Sequence, residues 1–290
     1  MYSAEINRKQ PACLLLVIDH STSMAETWAG GTMSKADQLA LAVNRLLGNA
    51  VLLCSKGDDR VYDYFEVGIL GYGRGVAPVL YGSSVSRPLL PISEVAMNPN
   101  RVDHILRKVS DGAGGLVEVQ TPIPAWVDPV ADGWTPMVEA LRVAAWIVDG
   151  WCRRHPASFP PIVVNVTDGQ STDGDPRAAA GQVRAAGTAD GAALLFNAHL
   201  SAAGRRAVTF PDNRDDLPDE FARALFDMSS FLPPTMVAAA DSLGYPASPG
   251  SRGFLYNADV TALIEFLDIG TRAVTPTGLR DLTVGPRSSG

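Results

Sequence analysis

Two aspartates close apolar runs in this chain, and small hydroxylated or flexible residues surround each. Cys13-Leu14-Leu15-Leu16-Val17-Ile18 leads into Asp19-His20-Ser21-Thr22-Ser23, and Ile162-Val163-Val164-Asn165-Val166 leads into Thr167-Asp168-Gly169. A third segment, Gly133-Trp134-Thr135-Pro136, places one more hydroxyl ahead of a helical pattern. Carboxylates and hydroxyls are hard oxygen donors, and no His or Cys spacing accompanies them. Such a set favours Mg²⁺, with Mn²⁺ or Ca²⁺ as alternatives, over zinc or copper. Hydroxyls neutralise little of an ion's charge, so an octahedral ion held by two Asp and three hydroxyls stays electrophilic. Its natural sixth ligand is an incoming carboxylate.

The elements that must position these groups can be read from periodicity. Both apolar runs are continuous, as expected of strands covered on both faces. Asp19 and Asp168 then lie at strand carboxyl ends, on one edge of a sheet. Ser34-Lys35-Ala36-Asp37 has capping-box spacing and opens a helix with Leu39, Val43, Leu46 and Leu47 on one face. The runs Val61 to Leu70 and Val76 to Tyr81 are joined by a short Gly-rich link, which predicts a hairpin and one antiparallel edge strand. Thr135 is expected to N-cap a helix with Pro136 in its first turn and Met137, Leu141, Ala145, Val148 and Cys152 as its buried stripe. Beyond Asp168, helices are expected at 177–186, 218–229, 234–243 and 259–269, and strands at 192–200 and 254–256. Residues 83–133 carry several prolines and read as an insertion with a few short strands and one short helix near 101–109. The tail, 272–290, has no periodicity and is expected to be loose. The alternation predicts an α/β chain: a three-layer, doubly wound, Rossmann-like, mostly parallel sheet, formed by one domain over 1–271. In such sheets ligands sit beyond the strand carboxyl ends at the switch point.

Composition narrows the classes. The 290 residues are 46% hydrophobic and 19% charged, with a net charge of −7. That balance is ordinary for a globular protein, and its acidity argues against a nucleic-acid partner, which needs clustered Lys and Arg. The run Cys13 to Ile18 is far short of the roughly 20 residues of a membrane span, and no signal-peptide pattern precedes it. Three scattered cysteines, Cys13, Cys54 and Cys152, read as small buried side chains rather than a disulfide framework. A cytoplasmic protein that touches no membrane is the expectation.

Asp19-x-Ser21-x-Ser23, Thr135 after Gly133, and Val166-Thr167-Asp168-Gly169, in that order, resemble the metal-ion-dependent adhesion site of von Willebrand factor type A domains. The resemblance covers residues 12–270, with 83–133 inserted. It implies that Ser21, Ser23 and Thr135 are hydroxyl ligands and that Asp19 and Asp168 bind the metal directly or through water. Two departures stand out: a long loop from Met24 to Met33, and His20 where a small residue is usual.

Structural alternatives accompany several of these residues. Aspartates at strand ends can simply form loops. His20, His104, His155 and His199 have no ligand spacing and read as structural. Asp173 and Asp175 read as caps of the helix near Pro176, and Trp28 and Trp134 flank the metal loops as either packing or contact residues. Two functions from different classes follow. The first is a metal-dependent protein-binding module, not an enzyme, whose ion accepts an Asp or Glu from a partner. Its resemblance to stand-alone intracellular bacterial members implies a stress, defence or regulatory complex, with an AAA+ ATPase or a kinase/phosphatase system as partner. The alternative is a Mg²⁺-dependent phosphohydrolase with Asp19 as nucleophile. Such an enzyme calls for an acid/base Asp where Ser21 stands, and for a Lys, which the sequence does not place near these motifs.

Overall fold

The computed structural model describes residues 2–28, 32–55, 60–110, 115–200, 206–257 and 260–272. The first run becomes β1 (Ala12–Asp19), buried along its whole length. Its side chains alternate between two cores. Leu14, Leu16 and Ile18 face one, and Cys13, Leu15 and Val17 the other. That two-sided burial is what a continuous apolar run requires. A short 3₁₀ turn (Thr22–Ala25) leads towards α1 (Lys35–Ser55), followed by β2 (Phe65–Tyr72), β3 (Val76–Pro78), β4 (Leu90–Pro91) and α2 (Ile92–Met97). Next come β5 (Arg101–Ser110), β6 (Leu116–Ala125), α3 (Met137–Arg154), β7 (Ile162–Thr167), α4 (Arg177–Ala185), β8 (Gly187–Thr188) and β9 (Gly191–Ala192). The chain continues through β10 (Leu194–His199), β11 (Val208–Thr209), α5 (Glu220–Met228), α6 (Pro234–Ser242), β12 (Phe254–Tyr256) and α7 (Val260–Arg272).

The main sheet runs β11-β12-β10-β7-β1-β2-β3, with β4 also paired to β2. The pairs among β12, β10, β7, β1 and β2 are parallel. Antiparallel strands occur at both edges, β3 and β4 on β2 and β11 on β12. The sequence predicted only the first of these edges, because the two-residue β11 is too short to leave a pattern. Helices α1 and α7 contribute to one core, with Leu39, Leu47, Leu263 and Phe266, while α3, α4 and α5 contribute Leu141, Val183 and Phe226 to the other. From β1 the chain moves to β2 on one side and later to β7 on the other. The switch point therefore lies at the carboxyl ends of β1 and β7, where Asp19 and Asp168 stand.

Among the described residues, α1 alone is long and apolar enough to cross a membrane. Here its apolar stripe, Ala36, Leu39, Ala40, Val43, Leu46 and Leu47, is buried against the sheet.

Part of the segment 83–133 packs into the core. Ile92, Val95, Trp126 and Val127 are buried. Asn44 of α1 accepts the backbone N–H groups of Trp126 and Val127 at 2.8 and 3.0 Å and donates to the Val127 carbonyl at 2.8 Å. The helix expected near 101–109 is instead β5, paired antiparallel with β6 from Arg101↔Ala125 to Ser110↔Leu116. Val102, Ile105, Val117, Val119 and Ile123 are β-branched and suit a pleated pair, so the partner strand decides a locally ambiguous stretch. Residues 273–290, nearly all of the expected tail, lie outside the described residues, as do 29–31 in the long loop after Met24.

Candidate metal centre

Three loops converge beyond β1 and β7. The Asp19 carboxylate is fully buried. One oxygen accepts the Ser21 backbone N–H at 2.7 Å, and the other accepts the Thr167 hydroxyl at 2.7 Å. Ser21 Oγ lies 3.0 Å from Ser23 Oγ, and Ser23 Oγ donates to Asp168 Oδ1 at 2.7 Å. Asp19, Ser21, Ser23 and Asp168 thus form one cluster of oxygen donors. Thr135 is buried, and its backbone exchanges hydrogen bonds with Thr172: its N–H donates to Thr172 Oγ1 at 3.1 Å and its carbonyl accepts the Thr172 N–H at 2.9 Å. The Gly133 carbonyl accepts both the N–H and the hydroxyl of Thr22 at 3.1 Å, which ties the loop before α3 to the loop after β1.

Close packing explains why these loops have the sequence they do. Gly133 has φ +107°, and a Cβ there would lie 2.4 Å from the Arg74 nitrogen, so only glycine lets the loop before α3 touch the turn between β2 and β3. A Cβ on Gly71 would fall 2.3 Å from the His20 ring, which lies across β2 at that point. Burial holds the His20 pKa below its ordinary value. His20 is therefore a packing residue, as expected. Trp28 is buried and Trp134 is 74% exposed, so only the second has a face available for contact.

Electrostatics single out Asp19. Desolvation pushes its pKa up to about 6, with a further rise from the Asp168 charge, against the lowering effect of its bonds to Ser21 and Thr167. Among the described residues, no Lys, Arg or His forms an ion pair with it. Asp168 is different. Its side chain is also fully buried, but Lys35 Nζ sits 2.8 Å from its Oδ2. The same ammonium lies 2.8 Å from Glu26 Oε2 and donates to the Ser23 carbonyl at 3.4 Å. Burial alone would lower the Lys35 pKa, yet the bonds and charges of Asp168 and Glu26 outweigh it and hold it above the usual value. The sequence placed no lysine near the motifs. That expectation is corrected here, because the chain folds residue 35 back onto residue 168.

Two capping assignments also change. Helix α3 starts with Pro136 at its N-cap and no side-chain cap of its own, so Thr135 is not the cap. Asp173 takes that role from the loop after β7, accepting the Val138 and Glu139 N–H groups at 3.0 and 2.9 Å. Proline lacks a hydroxyl, and the neighbouring loop supplies the missing acceptor. Asp175 does serve α4, accepting the Arg177 N–H at 3.0 Å. Earlier in the same loop, Gly169, Gln170 and Ser171 border an open cleft of about 300 Å³ shared with Phe221, Leu225 and Met228.

The donor set suits a hard divalent cation. It holds carboxylate and hydroxyl oxygens only, and a buried Asp19 carboxylate with no counter-charge is what a bound cation would relieve. Among the described residues, no group of three or more His, Cys, Asp or Glu side chains is placed to hold a metal ion by itself, so the hydroxyls are needed to complete this donor set. Nor does the cluster contain a hydroxyl paired with a histidine base.

No protein-family model and no curated protein sequence matches the chain. Solved structures do resemble it. The pilus adhesin SpaC from Lactobacillus rhamnosus GG aligns at 13% identity and a TM-score of 0.51, over 93% of this chain and 31% of the adhesin. Proximal thread matrix protein 1 from the mussel byssus, with a zinc-occupied MIDAS motif, aligns at 12% identity and 0.46, over 92% and 48%. The manganese-loaded TRAP protein of Plasmodium vivax aligns at 13% and 0.40, over 92% and 74%. The chain spans less than half the length of the first two of these. At such identities the likeness is one of architecture: the chain has a von Willebrand factor type A-like fold, a mostly parallel sheet with antiparallel edges.

Proposed function

We propose that Asp19, Ser21, Ser23, Thr135 and Asp168 hold a divalent cation, Mg²⁺ first, and that the ion accepts an Asp or Glu side chain from a partner protein. The observation that carries this reading is the hydrogen-bonded cluster of Asp19, Ser21, Ser23 and Asp168 at the switch point. Asp19 and Asp168 would supply the charge, and the three hydroxyls would fill further positions and leave one open. The ion would supply a Lewis-acidic position for the incoming carboxylate. Trp134, exposed beside Thr135, gives an aromatic contact for the same partner. The three cysteines are free and buried, which suits a reducing cytoplasm. A bacterial intracellular complex, with an AAA+ ATPase or a kinase/phosphatase system, is the setting we propose; it rests on the resemblance of the motifs to those of stand-alone intracellular bacterial type A domains, not on the solved structures.

The phosphohydrolase alternative gains Lys35 but not the rest. Two carboxylates already neutralise that ammonium, and Ser21 still stands where an acid/base Asp is needed. One experiment separates the two. The chain is immobilised in Mg²⁺, exposed to a lysate of its source, and washed with EDTA. Partner release by EDTA, lost in Asp19→Ala, is the expected result. Capture that survives both treatments, or Asp19-dependent hydrolysis of a small aryl phosphate, would overturn the reading.

A further inference from the structure

Lys35 has no part in the ligand set, yet its ammonium contacts Asp168, a member of that set. The Lys35 side chain is 3% exposed, and the Asp168 side chain is fully buried. Both Asp168 oxygens are engaged, Oδ2 by the ammonium and Oδ1 by the Ser23 hydroxyl. Glu26, 61% exposed, takes a second share of the same ammonium. Around the cluster stand three carboxylates, those of Asp19, Asp168 and Glu26, and one ammonium, which leaves two negative charges uncompensated. That remainder matches a divalent ion. An isolated buried carboxylate is costly, and a fixed ammonium lowers that cost while no metal is bound. The same ammonium repels any cation that enters beside it.

We infer that Lys35 is a resident counter-cation of this centre, a positioning residue that holds Asp168 in place without metal and keeps the affinity for the divalent ion low enough for exchange. The inference rests on the metal reading above and adds to it how tightly the ion is held. Glu26 tunes the effect: by drawing on the ammonium from the solvent side, it weakens the repulsion felt at the ion. The two residues therefore have opposite influences. Removing the lysine charge should tighten metal binding, and removing the glutamate charge should loosen it. A lysine that only supported the loop would give the reverse for its own removal, because a misplaced Asp168 binds metal less well.

The test is calorimetric titration of Mn²⁺ alone into the full chain, its Lys35→Met variant and its Glu26→Gln variant, with melting curves in EDTA. Lys35→Met is expected to bind Mn²⁺ about tenfold tighter while melting at a lower temperature in EDTA. Glu26→Gln, changed at an exposed position, should bind several-fold more weakly with its melting temperature nearly unchanged. If Lys35→Met folds, its affinity decides: equal or weaker binding overturns the inference. If it does not fold, Glu26→Gln decides, and unchanged or tighter binding overturns it. A wild-type chain that takes up no Mn²⁺ while Lys35→Met does would support the counter-cation and sink the metal reading for the native chain. Failure of both to bind would sink both.

Discussion

A carboxylate buried at the end of a strand, with two hydrogen bonds and no counter-charge, makes the metal-free protein less stable than it could be. Asp19 is in that position. Replacing it with Asn removes the charge but keeps an acceptor for the Ser21 N–H, and the Thr167 hydroxyl can turn to accept from the new amide. Asp19→Asn should therefore melt at the same temperature as the wild type in EDTA, or higher. It should also lose the rise in melting temperature that Mg²⁺ gives the wild type, which at a hundredfold excess over Kd corresponds to about 2.7 kcal/mol. Differential scanning fluorimetry with and without Mg²⁺ checks both halves. Most of this cluster was legible in the sequence, because Asp19, Ser21, Ser23 and Asp168 fall at strand ends that apolar runs announce. Lys35 was not, since it is 133 positions from Asp168 along the chain. Its one signal was indirect: Ser34 and Asp37 do form the expected capping box, which fixes Lys35 in the first turn of the helix that follows the metal loop.

Elements show where local patterns decide and where neighbours do. Helix α1 begins where its capping box says, and α3 buries the stripe of Met137, Leu141, Ala145, Val148 and Cys152 read from its periodicity. The start of α3 depends on another loop, because no residue within it can report that Asp173 will arrive. Asp173→Ala should destabilise the chain by about 1 kcal/mol at pH 7, the usual worth of an N-cap. The pH dependence has a definite sign. Burial raises the Asp173 pKa, but the bonds from the Glu139 and Val138 N–H groups and from Ser171 together outweigh it and hold the pKa below its ordinary value of 3.8. Its stabilising contribution is present above the unfolded value and fades as pH falls through the lowered folded one. Denaturant midpoints of wild type and Asp173→Ala should therefore converge in acid. A constant gap from pH 7 to pH 2.5 would show that the cap acts without its charge. The β5–β6 pair teaches the complementary lesson: Val102, Ile105, Leu106 and Val109 have helical spacing, and only pairing with β6 makes the segment a strand.

Across the whole molecule, a chain of buried polar side chains crosses the sheet beneath the metal loops. The Tyr72 hydroxyl of β2 donates to Asn165 Oδ1 of β7 at 3.0 Å, and Asn165 Nδ2 donates to Asn197 Oδ1 of β10 at 3.0 Å. Asn197 Nδ2 continues to Ser229 Oγ at 3.0 Å, at the end of α5. Polar groups in a dry core favour one strand order, because any other leaves them unpaired. Asn165→Leu should cost roughly 3 kcal/mol in urea unfolding, since it leaves Asn197 Oδ1 without its donor and the Tyr72 hydroxyl with only its longer bond to the Val166 carbonyl; a change under 1 kcal/mol would mean the chain closes up without it. Such a network is invisible to hydrophobic periodicity, which marks Asn165 and Asn197 only as interruptions of apolar runs. The doubly wound, mostly parallel sheet followed from the alternation of elements, and the second antiparallel edge did not.

The loop after β7 is gripped at both ends. Lys35 of α1 holds Asp168 at its start, and five residues later Asp173 holds the first turn of α3. That makes the segment a cross-brace between helices on opposite sides of the sheet, rather than a free rim. Any displacement of the loop by an arriving partner must either drag the first turn of α3 with it or uncap it. The amides of Val138 and Glu139 thus become built-in gauges of events at a carboxylate they never touch.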